Sequence, residues 1–297
     1  MKCIFIGGAD RSGTTMLASL LSTIKDSVVT PESLFKTDIP FEYPISIHAY
    51  SQNLAEDKRF KRWNTDISEL KDKDYLSYSE VYHDILSLYA PDKNVGYWID
   101  HSPNNLMYAK LLNATFEDCY FIHIVRDGRA VAHSQIPLEW GENTFLHSSR
   151  AWLNKILYGF ITQTLFPEKT ILVKYEDLLR DSEKEIAKIL TLLGNPELEE
   201  VTLKGDFVPE FSKKQHSLVG KTPDISRANA WQSKLTNQEI ADFQYYAAHT
   251  LEVLGYELMD TENTKVTKGH MIKQFLKEMW FKKVVNPRQY KLKRKLH

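Results

Sequence analysis

The chain opens on an unbroken apolar run, Cys3-Ile4-Phe5-Ile6-Gly7, the pattern of a buried strand. From Thr14 to Ile24 the period changes. Met16, Leu17, Leu20, Leu21 and Ile24 fall on one face of a helix. A short strand is expected ahead of Thr30-Pro31-Glu32-Ser33. Residues 36–75 then break the rhythm with Pro40, Pro44 and many charges, and they read as a long surface excursion over a substrate cleft. Beyond them the pattern predicts a helix over Ser79–Tyr89, a strand over Val95–Ile99 and a helix over Asn104–Leu112 behind Pro103. Cys119–Val125 is the clearest buried strand, followed by a helix through about His133. A longer helix follows over Leu146–Thr164, then a strand over Thr170–Tyr175 and a helix over Glu176–Leu193. The last helix of the body is Thr236–Leu254, where Thr236 and Glu239 form a capping box. Strands alternating with helices predict an α/β fold with a doubly wound central parallel sheet flanked by helices.

Composition adds one asymmetry. The 297 residues are 42% hydrophobic and 26% charged, with a formal net charge of −1, which is ordinary globular composition and not that of a nucleic-acid binder. From Lys265 to His297, however, eleven Lys and Arg face a single acid, Glu278, so the rest of the chain is acidic. The expected division is a single domain over residues 1–260 and a basic amphipathic segment over 261–297. In that segment Met271, Phe275, Leu276, Met279, Trp280 and Phe281 recur among lysines until Pro287, and Lys291–Lys295 is almost wholly basic. Two readings stand for it: a helix docked on the domain with a solvated basic end, or an element lying on a membrane surface. A polyanionic acceptor would also be attracted to it. Cys3 and Cys119 lie in strand runs and read as buried free thiols, with no disulfide framework and no metal-ligand spacing. The opening residues do not read as a signal peptide, and no stretch reaches the length of a spanning helix. A cytoplasmic, soluble protein is expected, with peripheral membrane contact through the tail under the second of the two readings.

The turn after the first strand carries the first chemistry. Gly8-Ala9-Asp10-Arg11-Ser12-Gly13-Thr14-Thr15 has the glycine spacing of a P-loop, so the fold is of the P-loop type. The glycines let backbone N–H groups turn inward onto an anion, and the helix behind adds its positive end. Ser12, Thr14 and Thr15 supply hydroxyl donors, and Arg11 supplies a cation. The lysine that bridges nucleoside triphosphates is absent, since Thr14 stands in its place. The loop therefore suits one phosphate group rather than a triphosphate.

A second block runs from Phe121 to Ser134, where the clearest strand delivers Arg126 and the helix behind it delivers Ser134 eight residues later. An arginine at a strand's carboxyl end lies where open α/β sheets bind ligands. Together the blocks resemble the sulfotransferases that use 3′-phosphoadenosine 5′-phosphosulfate (PAPS). Arg-Ser-Gly-Thr-Thr is similar to their 5′-phosphosulfate loop, and the Arg126–Ser134 block is similar to their 3′-phosphate motif. Lys174-Tyr175-Glu176-Asp177-Leu178 and Ser226-Arg227-Ala228-Asn229-Ala230-Trp231 resemble two further family segments. The likeness covers roughly residues 3–255 and lies nearest the bacterial, Golgi and tyrosylprotein branches. It implies PAPS binding by Arg11, Ser12, Gly13, Thr14, Thr15, Arg126 and Ser134. Tyr175 either supports the cofactor or anchors its strand end, and Arg227 is a candidate contact for a phosphate or an anionic acceptor.

Transfer of a sulfuryl group to an alcohol needs alignment, charge neutralisation and a base for the hydroxyl proton. Glu32 is the first candidate base, at the spacing where the family's carboxylate-base branch has one. His101, in Asp100-His101-Ser102-Pro103, stands where a Lys-Ser-Pro pattern is familiar, and it competes as base, acceptor contact or leaving-group partner. Arg11 completes the catalytic set. No metal is required. The expected acceptor is a carbohydrate or glycolipid hydroxyl. The rivals are sulfation of a peptide tyrosine, a P-loop kinase-like phosphotransferase, and a non-catalytic protein that binds polyanions or membranes.

Overall fold

Residues 1–37, 54–73, 75, 77–194, 228–261 and 264–286 are described by the computed structural model. In chain order the strands and helices are β1 (Lys2–Gly8), α1 (Thr14–Leu21), β2 (Ser27–Val29), α2 (Tyr78–Tyr89), β3 (Tyr97–Asp100), α3 (Ala109–Thr115), β4 (Cys119–Val125) and α4 (Gly128–Gln135). They continue as α5 (Phe145–Leu165), β5 (Thr170–Lys174), α6 (Tyr175–Arg180), α7 (Ser182–Leu192), α8 (Asn237–Val253) and α9 (Lys268–Trp280). Backbone contacts group the described residues into two units.

The first unit comprises the described residues of Met1–Gly8, Gly13–Ile124 and Tyr158–Pro223. It holds a five-stranded sheet in the order β2-β3-β1-β4-β5. β1 pairs parallel with β3 (Ile4 opposite Ile99) and with β4 (Ile4 opposite Tyr120), and β2 pairs parallel with β3. The chain thus builds one side of β1 first and the other side later. The carboxyl end of β1 is the switch point where such sheets take ligands.

The unbroken apolar run of β1 is explained by two cores. Cys3 and Phe5 join Trp98, Phe116, Cys119 and Phe121 on one face of the sheet. Ile4 and Ile6 join Leu17, Leu21, Ile99, Ile122 and Ile124 on the other. Period-two side chains with both faces covered leave no position for a polar residue. Cys3 and Cys119 are buried free thiols.

Three elements differ from the sequence pattern for local reasons. The described part of residues 36–75 is not a surface excursion. Leu54, Phe60, Trp63, Ile67 and Leu70 are buried, and Phe35, Phe60 and Trp63 meet with ring centroids 5.4 to 5.7 Å apart. Positions 60, 63, 67 and 70 carry helical spacing, hidden among charged neighbours and spent in the 3-10 turns Phe60–Trp63 and Ser68–Asp72. α1 stops at Leu21, short of Ile24, because the Ser22 and Thr23 hydroxyls bond back to the carbonyls of Ser19 and Leu20 at 2.6 and 2.8 Å. The helix expected over Glu176–Leu193 divides into α6 and α7 at Asp181, whose carboxylate accepts from Lys184 N at 3.0 Å and caps α7.

The second unit comprises the described residues of Ala9–Ser12, Val125–Leu157 and Asp224–His297. Gly128 opens α4 against aromatic rings. A Cβ there would lie 2.3 Å from Phe243 and 2.8 Å from Trp152. The Arg129 guanidinium is buried behind it. It donates to Asp127 at 3.0 and 2.8 Å, to Gln244 at 2.9 Å and to the Glu257 carbonyl at 2.8 Å. It also lies 4.3 Å from the Trp231 ring centroid. The capping box at the start of α8 is present. α9 is held by Glu278, whose buried carboxylate accepts from Asn143 N at 2.9 Å and Asn143 Nδ2 at 3.0 Å.

Candidate active site

Arg11 turns the chain after β1 with φ 72°, a left-handed conformation unusual for a side chain that size, and Gly13 follows at φ 98°. Backbone N–H groups around left-handed turns of this kind are the usual lining of anion sites. In the second unit Arg11 Nε donates to Ser134 Oγ at 3.2 Å, and Arg126 Nη1 donates to the Arg11 carbonyl at 3.1 Å. Trp152 Nε1 holds the Arg126 carbonyl at 3.2 Å. Two sequence blocks more than a hundred residues apart therefore meet at Arg11. Ser12 is fully buried, and its hydroxyl has no hydrogen-bond partner among the described residues. A buried hydroxyl left in that state costs about 1–3 kcal/mol, a penalty that a bound ligand oxygen would relieve. An anionic ligand oxygen would fit that donor.

In the first unit Gly13 caps α1 without a side chain, and a Cβ there would lie 2.5 Å from the Tyr175 ring. Tyr175, almost fully buried at the start of α6, thus walls the loop at its glycine. Thr14 and Thr15 are buried in the first turn of α1.

The ends of β2 and β3 carry the two candidate bases, joined by a buried network that the sequence pattern did not signal. The Lys36 ammonium lies 3.2 Å from Asp100 Oδ1 and donates to Asn105 Oδ1 at 2.7 Å. Ser33 Oγ donates to Asp100, and Ser33 N donates to Ser102 Oγ at 2.9 Å. Asn105 Nδ2 donates to Asp100 Oδ1 at 2.7 Å and to the Ile6 carbonyl of β1 at 2.9 Å. Burial alone would raise the Asp100 carboxyl. The Lys36 charge and the bonds from Ser33, Ser102 and Asn105 outweigh it and hold the group at about 2. Burial lowers the Lys36 pKa, with Asp100 opposing.

Glu32, one residue before Ser33, is exposed, and its carboxylate acts electrostatically on Lys36. His101, one residue after Asp100, is buried. The same network fixes Ser33 beside Glu32, and Asp100 and Ser102 on either side of His101. Gly8 N donates to the Pro103 carbonyl at 3.1 Å, which ties the His101 segment to the end of β1. Arg227 lies outside the described residues. His123 is buried inside β4 as expected of a packing residue. Its ring fills the space a Cβ on Gly159 would take, 2.0 Å away, and burial pushes it down to about 4.

The described residues thus combine a parallel α/β sheet with a glycine-bounded turn after its central strand. A sequence profile of the sulfotransferase family matches residues 3–200, and the chain belongs to that family. Carbohydrate sulfotransferase 2 of Mus musculus is 30% identical over 94 residues, 31% of this chain and 18% of that protein. The Homo sapiens protein of the same name matches to the same extent, so the chain aligns with less than a fifth of these relatives' length. The sulfotransferase domain from the Synechococcus PCC 7002 olefin synthase superposes with a TM-score of 0.60 at 20% identity, over 87% of this chain and 95% of that one. The sulfotransferase domain from the curacin biosynthetic pathway gives 0.57 at 19% identity, over 87% and 99%. At such identities the likeness is one of fold.

Proposed function

We propose that this protein transfers a sulfuryl group from PAPS to a hydroxyl of a carbohydrate or glycolipid. The observation that carries the reading is the junction at Arg11. One loop cation bonds Ser134, accepts Arg126 on its carbonyl and stands beside the unpartnered Ser12 hydroxyl. Membership of the sulfotransferase family supports the reaction class. The partial similarity to carbohydrate sulfotransferase 2 supports a sugar acceptor.

When bound, PAPS supplies an electrophilic sulfur whose leaving group is the 5′-phosphate of adenosine 3′,5′-bisphosphate. Arg126 and Ser134 hold the 3′-phosphate. Arg11, the Ser12, Thr14 and Thr15 hydroxyls and the N–H groups around Gly13 take the charge that grows on the 5′-phosphate as the S–O bond breaks. Tyr175 walls that loop. Glu32 removes the proton from the acceptor hydroxyl as its oxygen bonds to sulfur, and this residue is exposed three positions beyond β2. His101 contacts the acceptor from the adjoining strand end.

Thermal unfolding with adenosine 3′,5′-bisphosphate and with ATP–Mg²⁺ tests the nucleotide assignment. A rise of several degrees with the bisphosphate, abolished in Arg126→Ala, is expected. A larger rise with ATP–Mg²⁺ would point to a phosphotransferase and overturn it. Incubation with sulfur-labelled PAPS and panels of oligosaccharides and tyrosine peptides then tests the acceptor.

A further inference from the structure

α9 is amphipathic in the opposite sense to a docked helix. Its buried contact is the acid: Glu278 accepts twice from Asn143, and Lys282 bridges Glu278 at 3.0 Å and Glu142 at 2.7 Å. His270 pairs with Asp242 at 2.8 Å. Ile272, Phe275, Leu276 and Trp280 follow the i, i+3, i+4, i+8 spacing of one helical side. All four are 54–61% exposed. Val284 and Val285 extend the apolar surface on the π-helical turn that follows, Phe281–Val285. Exposed Lys268, Lys273, Lys277 and Lys283 stand among them. Ile272 and Phe275 also line a cleft with Leu146, Arg150 and Tyr246, where the Arg150 guanidinium lies 5.7 Å from the Tyr246 ring centroid.

We infer that α9 is a membrane-docking element that lies in the headgroup region of an anionic phospholipid bilayer. The charge pattern selects this occupant. A second copy of the chain would bring two strongly basic segments face to face, since residues 265–297 carry eleven Lys and Arg against one acid. A soluble polyanion would satisfy the lysines and leave the apolar side in water. An anionic bilayer takes both, with aliphatic and indole groups below the headgroups and ammonium groups at the phosphates. No helix among the described residues is long and apolar enough to cross a membrane, so this contact lies on the surface. The salt-bridged Glu278 side fixes the helix before any lipid arrives, so the ordering cost of a free amphipathic peptide is already met. The inference does not depend on the sulfotransfer reading.

Flotation of the full chain with lipid vesicles tests it. Binding is expected to phosphatidylcholine vesicles containing roughly 30 mol% phosphatidylserine, and much less to phosphatidylcholine alone. The triple variant Ile272→Ser/Phe275→Ser/Trp280→Ser and the double variant Lys273→Glu/Lys277→Glu should each lower partitioning about tenfold or more. All five sites are exposed, and unchanged thermal unfolding would show each variant folded. The idea is overturned by absence of vesicle binding, or by undiminished binding in the serine variant. It is equally overturned if the wild-type chain ignores vesicles and instead dimerises, or binds heparin, through this surface.

Discussion

The ammonium of Lys36 lies 3.2 Å from the carboxylate of Asp100, and neither side chain reaches solvent. The pair sits four residues after Glu32 and one before His101, so it fixes the two segments that offer a base. Breaking a buried pair from one side leaves the other charge uncompensated.

Lys36→Met should therefore destabilise the protein by about 3–5 kcal/mol in urea unfolding. Adding Asp100→Asn should recover part of that loss, because the orphaned charge is removed as well. Additive losses in the double variant would show that the two groups do not act as a pair.

Acid should unfold the protein in two stages. His123 is held neutral by burial at about 4, below its ordinary value of 6.5. The unfolded chain takes up that proton first, so stability falls as the pH drops from 6.5 towards 4, by roughly 3 kcal/mol in all. Asp100, depressed from 3.8 to about 2, contributes stability that is complete above 3.8 and lost as the pH falls towards 2. His123→Leu should flatten the first stage and leave the second. Urea midpoints across that range measure both.

Gly13→Ala meets two obstacles, the left-handed φ of 98° and the Tyr175 ring 2.5 Å from the new carbon. A loss of about 1–3 kcal/mol is expected, together with loss of adenosine 3′,5′-bisphosphate binding by calorimetry. Combining it with Tyr175→Ala removes the collision but not the torsion, so stability should recover only partly.

Arg129→Met leaves the nearly buried Asp127 carboxylate without its fork of donors. About 3 kcal/mol should be lost. Hydrogen exchange should locate the loosening in α4 and α8.

Glu32→Gln should lower kcat about a hundredfold or more and remove the acidic limb of the rate profile, with nucleotide affinity kept. If His101→Asn removes that limb instead, the histidine is the base.

The sheet was legible in the sequence because strands covered on both faces leave long apolar runs, as at Cys3–Gly7 and, apart from His123, at Cys119–Val125. The turn at Gly13 was legible because the glycine and its hydroxyl neighbours are adjacent in the chain. The buried Lys36–Asp100–Asn105 network was not, because its members come from separate segments and each looks like an ordinary surface residue in isolation. The only trace was Lys36 directly after the aromatic Phe35. Arg129 was hidden in the same way, beside the more conspicuous Arg126. The core role of Leu54 to Leu70 escaped because charged residues interrupt its spacing. The outward apolar side of α9 could not be read at all, since periodicity reports that a helix has two faces and not which one meets the protein.

Glu278 makes α9 a poor place to cut. Asn143 lies just ahead of α5, and its amide and side-chain nitrogens find their acceptor only when α9 is present. A version trimmed before Thr267 would leave those donors, and Asp242, without the partners the helix provides. Deleting the helix to improve solubility would remove an internal brace together with its greasy exterior.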